Sequence, residues 1–488
     1  MSRMKDIIDE HMQSSSHLSK KHIHPRLSKM FELAGINIAF TGAEGYWLYD
    51  DEGNKYLDLL AGGGVYMFGR NHPRVNQALQ DVISSGLPNM SVVNASVLGG
   101  LLAERLLEMA GPGFTKVQYS NSGAESNEVA IRFSRYCTRR RRYLFLEGAF
   151  HGRTFGAISM CGFDAMKEGM EPRMPTCTPI PPNDIEALRR ELSKGDVAAF
   201  FYEKCQGMTL DVVSDEYLRE ARRLCTEYGT LLCADEVQTG LARLGDHWFG
   251  FQRAGIVPDM VSVSKILSGG AVPVAATLIG EHVYKKVFED FKSGPIYFST
   301  FAENNLAMAA GITTLEILDE LDAPTRAAEV SKRFREGLND IATRYDVIDR
   351  IAGEGLMIGI YFKESSNALL KAQQRAMGIA DSGAFGAAVN VDMFVRHKII
   401  VQIPGPGLSA IKILPQITIT DDDIQFFLDA FEETIANMYS RAGGPALSLG
   451  KAVVKDALRT VRGRVPGLGN VPENGAGTAT SPKKEAPA

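Results

Sequence analysis

Short runs of β-branched and aromatic residues recur along this chain, and helical patterns fill most of the gaps between the later ones. The runs are GYWLYD (45–50), RYLFLE (142–147), VAAFFYE (197–203), TLLCADE (230–236) and DMVSVS (259–264), with ESNEVAIRFSRYC (125–137) and SDEYLREARRLCTEYG (214–229) among the helical patterns. Strands that are apolar on both faces and alternate with helices imply a mainly parallel sheet covered on both sides. The expected class is therefore α/β, with ligands at the carboxyl ends of the strands.

From about residue 345 the texture changes. MIGIYFK (357–363), KIIVQI (398–403) and IKILPQITIT (411–420) mix with helical stretches, which reads as a smaller α+β domain. The predicted division is an N-terminal arm over 1–30, an N-terminal part of the small domain over 31–70, a large domain over 71–340 and the rest of the small domain over 341–440. Residues 441–488 hold a basic amphipathic helix, LGKAVVKDALRTVRGRV (449–465), and a tail of disordered type. That helix is a candidate contact for a membrane surface or an acidic carrier protein, set against a solvated extension as the simpler reading.

The 488 residues are 45% hydrophobic, enough for a large core, and the net charge of −5 gives no global attraction for nucleic acid. Apolar runs such as AVPVAATLIG (271–280) are too short to span a bilayer. The N-terminus lacks the apolar stretch of a signal peptide. Cys137, Cys161, Cys177, Cys205, Cys225 and Cys233 form no CxxC pair, so a cytoplasmic location is expected. His11, His17, His22 and His24 have no carboxylate or cysteine at ligand spacing, and no metal site is expected.

The chemistry gathers around Lys265, which stands between the strand-like DMVSVS and a glycine-rich bend. A lysine at a strand end is ordinarily a solvated charge. About thirty residues earlier TLLCADE ends on Asp235, so adjacent strand ends could present an acid and an amine to one cleft. NSGAESNEVAIRFSR opens a helix on a Ser-Gly turn, which offers N–H groups to a phosphate. EGAFHGRTFG places Phe150 where an aromatic face can stack on a flat ring. A phosphate seat, a ring platform, an acid and an amine are what pyridoxal 5′-phosphate requires.

With these motifs the sequence resembles the fold-type I, class III aminotransferases, especially their ornithine, acetylornithine and putrescine branch. The resemblance spans about 40–435 and rests on GYWLYDDEGNKYLDLLAG, GRNHPRV, NSGAESNEVAIRFSR, FHGRTFGAISMCG, ADEVQTGLARLG, VSKILSGG, STFAENNLAMAAG, GEGLMIGI and ILPQITIT, in the family's order. It implies a large domain built on a seven-stranded, mainly parallel sheet between helices. It makes Lys265 the Schiff-base lysine and Asp235 the partner of the pyridinium nitrogen. It puts Phe150 and Val237 on the two ring faces, Gln238 near the ring hydroxyl, His151 beside the cofactor and Glu203 near substrate and cofactor hydroxyl. Ser122, Gly123 and Ala124 surround the phosphate, and Thr300 reaches the phosphate of the neighbouring subunit in a homodimer.

Three positions depart from the family's pattern. Its Ser-Gly-Thr phosphate turn reads Ser-Gly-Ala, so Ala124 offers only a backbone N–H; its Gly-Gly-Asn-Pro reads AENN (302–305), which introduces Glu303; and Lys412 stands where an arginine grips a substrate carboxylate. An ammonium has no fixed fork, which turns the reading toward a terminal amine or aldehyde, with an amino acid as the other partner. An aminomutase, epimerase or decarboxylase of the same fold remains open, as does an idle homologue acting as a scaffold.

Overall fold

The computed structural model describes residues 3–90, 95–174, 176–289, 297, 299–378 and 383–440. Its strands in chain order are β1 (Phe40–Glu44), β2 (Trp47–Asp50), β3 (Lys55–Asp58), β4 (Phe114–Ser120), β5 (Arg142–Leu146), β6 (Cys177–Ile180) and β7 (Val197–Tyr202). They continue as β8 (Leu231–Asp235), β9 (Met260–Val263), β10 (Ala275–Gly280), β11 (Ile348–Ala352), β12 (Ile358–Phe362), β13 (Ile399–Ile400) and β14 (Ala410–Ile413).

Seven of them form the central sheet, in the order β4-β10-β9-β8-β7-β5-β6. The pairs from β9 through β8, β7 and β5 to β6 are parallel, while β10 runs antiparallel to both of its neighbours. Every residue of β7, β9 and β10 is buried, as expected of strands covered on both faces. The helix Gly123–Thr138 packs along β4, β10, β9 and β7. Ser122 caps its start by accepting from Glu125 N at 3.3 Å.

Two smaller sheets, β1-β2-β3-β13 and β11-β12-β14, lie beside it. The first joins early and late chain, because β13 pairs parallel with β3 and Leu414 N donates to Leu59 O at 2.7 Å. The β-rich segment 411–420 stops pairing at Ile413, just before Pro415, which has no N–H for a ladder. The polar N-terminal stretch expected as an arm folds into helices over Arg3–His11, Ser15–His22 and Pro25–Ala34. The last is set by Pro25 in its first turn and by His24, whose Nδ1 accepts from Leu27 N at 3.4 Å; the first buries no residue.

The loop after β8 ties these parts together. Arg243, fully buried, donates from Nη1 to Pro415 O at 2.6 Å and from Nη2 to Gly64 O at 3.3 Å. Its own carbonyl accepts from Leu356 N at 2.9 Å. The turn between β11 and β12 comes so close that a Cβ on Gly355, at φ +55°, would stand 2.2 Å from the Leu244 carbonyl. Gly355→Ala is therefore expected to destabilise the protein by about 2–4 kcal/mol, through strain at a positive φ and steric overlap. A thermal midpoint equal to that of the wild type refutes this account of the contact.

Candidate active site

Parallel pairing of β8 with β9 sets Asp235 opposite Ser262, and Glu236 N donates to Ser262 O at 2.9 Å. The acid thus ends one strand while Lys265 follows the next by two residues. Lys265 has φ +45°, in the left-handed region that a side chain with a Cβ rarely adopts. Ser264 anchors the bend by donating from Oγ to Val274 O at 2.8 Å. Burial pulls the Lys265 pKa down and Arg243 adds to that, while Asp235 and Glu203 pull it up without prevailing.

Ser122, Gly123, Ala124, Phe150, His151, Glu203, Asp235, Val237, Gln238, Lys265 and Lys412 all line one cavity of about 650 Å³. Thr300 does not; it lies exposed outside the cavity. Asp235 is 4% exposed, and both of its oxygens accept hydrogen bonds. Its Oδ2 accepts from His151 Nδ1 at 2.7 Å and Asn127 Nδ2 at 2.8 Å, and its Oδ1 from Val237 N at 3.0 Å. Burial acts to lower the His151 pKa, yet the hydrogen bond and charge of Asp235, with Glu203 beyond, raise it overall. Glu203, whose pKa burial raises, accepts from Phe150 N at 2.9 Å and Gly207 N at 2.8 Å. Gln238 Nε2 donates to Gly63 O at 2.8 Å, leaving its Oε1 near Gly207.

Lys412 comes from β14 of a small sheet. It is 3% exposed and donates to Gly207 O at 2.7 Å, and burial, helped by Lys265, brings its pKa down to about 8. Among the other lining residues, three polar ones were not singled out in the sequence. Asn127 lies one helical turn beyond Gly123 within NSGAESNE, a spacing that puts it on the same face. Arg153, in FHGRTFG, is exposed at the cavity wall, 5.7 Å from the Phe150 ring centroid, and has no carboxylate partner among the described residues. Gln402 carries a buried Oε1 without a hydrogen-bond partner among the described residues, and no local motif marked it.

An acid and an amine at adjacent strand ends, with a helix start and an aromatic ring in the same cavity, define a fold-type I enzyme that uses pyridoxal 5′-phosphate. The profile described as aminotransferase class-III matches residues 32–435, and the chain belongs to that family of pyridoxal 5′-phosphate-dependent aminotransferases. An acetylornithine aminotransferase of Methanopyrus kandleri is 36% identical over 66% of this chain and 80% of its own length. A diaminobutyrate–2-oxoglutarate aminotransferase of Haemophilus influenzae is 30% identical over 82% of this chain and 91% of its own. The aminotransferase PigE of Serratia is 29% identical over 84% of this chain, which spans 52% of that longer protein. Among solved structures, ornithine aminotransferase of Toxoplasma gondii shares the fold, with a TM-score of 0.75 and 22% identity over 93% of this chain and 99% of that one.

The residues present fit the cofactor. A Cβ on Gly123 would stand 2.6 Å from Val237 Cγ1, and one on Gly152 would stand 2.5 Å from the Ala124 methyl. The two glycines let the helix start, the Phe150 turn and Val237 close around one space while the backbone N–H groups stay open to a phosphate. Gly123→Ala is expected to weaken cofactor retention about tenfold, by pushing Val237 into that space, and Gly123→Ala/Val237→Ala to restore it. Cofactor content after dialysis is the readout. Undiminished retention in the single variant, or none regained in the double, contradicts the packing argument.

Proposed function

We propose that Lys265 is the catalytic lysine of this aminotransferase, the amine that would hold the cofactor between turnovers and would move a proton to and from the substrate's reacting carbon, with Asp235 as the carboxylate that would keep the ring nitrogen protonated. What carries the reading is the β8–β9 register, which brings both groups into one cavity at the carboxyl ends of parallel strands. The bound pyridoxal ring supplies an electron sink for the charge left on the substrate carbon. His151 and Asn127 orient Asp235. Ser122, Gly123 and Ala124 hold the phosphate, Phe150 and Val237 enclose the ring, and Gln238 and Glu203 bound its hydroxyl edge. A lowered pKa suits Lys265 to act as a free amine near neutrality.

The finer assignments follow from the same site. Thr300, exposed and outside its own chain's cavity, contacts the phosphate in a partner subunit, so the working unit is a homodimer. Exposed Phe301, Val97 and Leu101, apolar residues set close to that turn and to the facing helix Val97–Ala110, support a covered surface there. Residues 71–340 form the cofactor-binding unit, with 31–70 and 341–440 supplying the substrate wall. The location is cytoplasmic; no described helix is long and apolar enough to cross a membrane.

Lys412 binds substrate. Its Nζ spends one donor on Gly207 O and keeps two for oxygen atoms of the substrate. With a point charge in the depth and the Arg153 fork at the wall, the site favours an amine or aldehyde at the reacting carbon and a carboxylate farther out. The relatives named for acetylornithine, diaminobutyrate and ornithine fit a terminal amine as the reacting group. The helix candidate at 449–465 lies outside the described residues.

The test is the visible absorbance of the cofactor-loaded protein during successive additions of glutamate, alanine and a diamine. The wild type is expected to change spectrum with the diamine at least as fast as with either amino acid, and Lys265→Ala to slow that change by about a thousandfold or more. Rapid reaction with the amino acids alone rejects the terminal-amine assignment. An unaffected Lys265→Ala rejects the catalytic one.

Lys412 also gives a pH signature. Its cation is present below its pKa of about 8 and is lost as pH rises through that value. The KM for a carboxylate-bearing substrate is expected to climb between about pH 7 and pH 9 in the wild type, and to stay level across that range in Lys412→Arg. Identical profiles for the two proteins exclude Lys412 from binding that group.

A further inference from the structure

The basic run Arg139–Arg142 splits by direction. Arg140 turns inward and donates from Nη1 to the carbonyls of Val197 at 3.1 Å, Tyr228 at 2.8 Å and Gly229 at 3.0 Å. Arg142 turns inward to Glu191 and Asp196, each at 2.7 Å. Arg139 and Arg141 stay exposed and, with Arg132, Arg135 and Tyr136, line one open cleft of about 340 Å³. The spacing of Arg132, Arg135 and Arg139 puts all three on one face at the end of the helix Gly123–Thr138.

These four guanidinium groups have no carboxylate within ion-pair distance among the described residues, whereas surface arginines such as Arg105, Arg189, Arg219 and Arg223 are each paired. Two are held by rings instead. The Arg139 guanidinium lies 4.3 Å from the Tyr136 ring centroid and that of Arg132 lies 6.0 Å from the Tyr297 centroid. Such contacts limit the motion of the fork and leave its N–H groups free.

Four clustered cations repel one another, and the chain as a whole carries −5, so the cleft is a local reversal of sign. A single carboxylate engages one fork, while a phosphate bearing two charges and three terminal oxygens engages two or more. We propose that this cleft is a second anion site, which binds a multiply charged phosphate group: the pyrophosphate of a free nucleotide or the phosphomonoester headgroup of an anionic lipid. It stands apart from the cofactor's phosphate seat. The seat lies at the start of the 16-residue helix Gly123–Thr138, and the cleft begins only at Arg132 in its second half, roughly 14 Å along the axis at 1.5 Å per residue.

The experiment uses the cofactor-loaded full chain, so that the catalytic phosphate seat is filled. Calorimetric titration with pyrophosphate and with ADP forms one arm. Cosedimentation with phosphatidylcholine vesicles, with and without phosphatidic acid, forms the other. Saturable binding in the first arm assigns a soluble phosphate, and binding only to the acidic vesicles assigns a lipid headgroup. In either case Arg135→Gln/Arg139→Gln/Arg141→Gln is expected to weaken it about tenfold or more while leaving the basal amino-transfer rate unchanged. Absence of saturable binding in both arms, or equal binding by the triple variant, overturns the proposal.

Discussion

A carboxylate buried as deeply as Asp235 survives only if its oxygens are met by donors, and meeting them arranges much of the cavity. His151 comes from the turn after β5, Asn127 from the helix Gly123–Thr138 and the Val237 N–H from the loop that follows β8. Three chain segments are thereby fixed to one side chain. The same His151 carbonyl accepts from Asn127 at 2.8 Å, which closes the turn onto the helix. Oδ2 has two donors and Oδ1 one, and a buried acceptor left with none costs about 1–3 kcal/mol. Phe150 inherits its position from this network, because it precedes His151 and is tied in turn to Glu203.

The amine is placed by a different means. Lys265 sits in a backbone conformation that is itself unfavourable, by about 1–3 kcal/mol for a residue with a Cβ. The surroundings offset it: Ile266 and Leu267 are buried directly after it, and Ser264 is bonded to Val274. Lys412 enters from β14, with Gly207 O as its anchor, and the nearby Lys265 contributes to its lowered pKa. Two desolvated amines thus face one cavity from two sheets. Arg243, in the loop after β8, ties that loop to early and late chain by bonding the Gly64 and Pro415 carbonyls.

The sheet was legible because both-face apolar runs leave little alternative to a covered parallel arrangement, and the strand ends at Asp235 and Lys265 fell where those runs stop. Motif order supplied further lining residues, including Lys412, which lies far away in sequence. Three features had no such signal. Gln402 reaches the cavity through a single bridge pairing with Lys412, which no periodicity announces. Arg243, buried with no acid partner among the described residues, depends on carbonyls contributed from more than 170 residues away. The inward and outward members of Arg139–Arg142 alternate because Arg139 ends a helix in the left-handed conformation and Arg142 begins β5; the run itself reads only as charge.

The departures from the family's pattern gain a physical setting. Ala124 stands where the Gly152 turn passes, close enough that a single added carbon on that glycine would overlap its methyl. The helix start at Ser122 is therefore packed against the turn that carries Phe150 and His151. Glu303 is exposed on the turn that carries Thr300, beside a small cavity shared with Pro88 and Ser96, well outside the ring-binding space. Of the two departures that line the cavity, Ala124 and Lys412, the lysine is the one that carries charge. A guanidinium keeps its charge across the accessible pH range, whereas a buried ammonium near its pKa can lose it. Among the three departures Lys412 is the one that sets a titratable cation in the cavity, where its charge varies over a pH range in which that of an arginine would not.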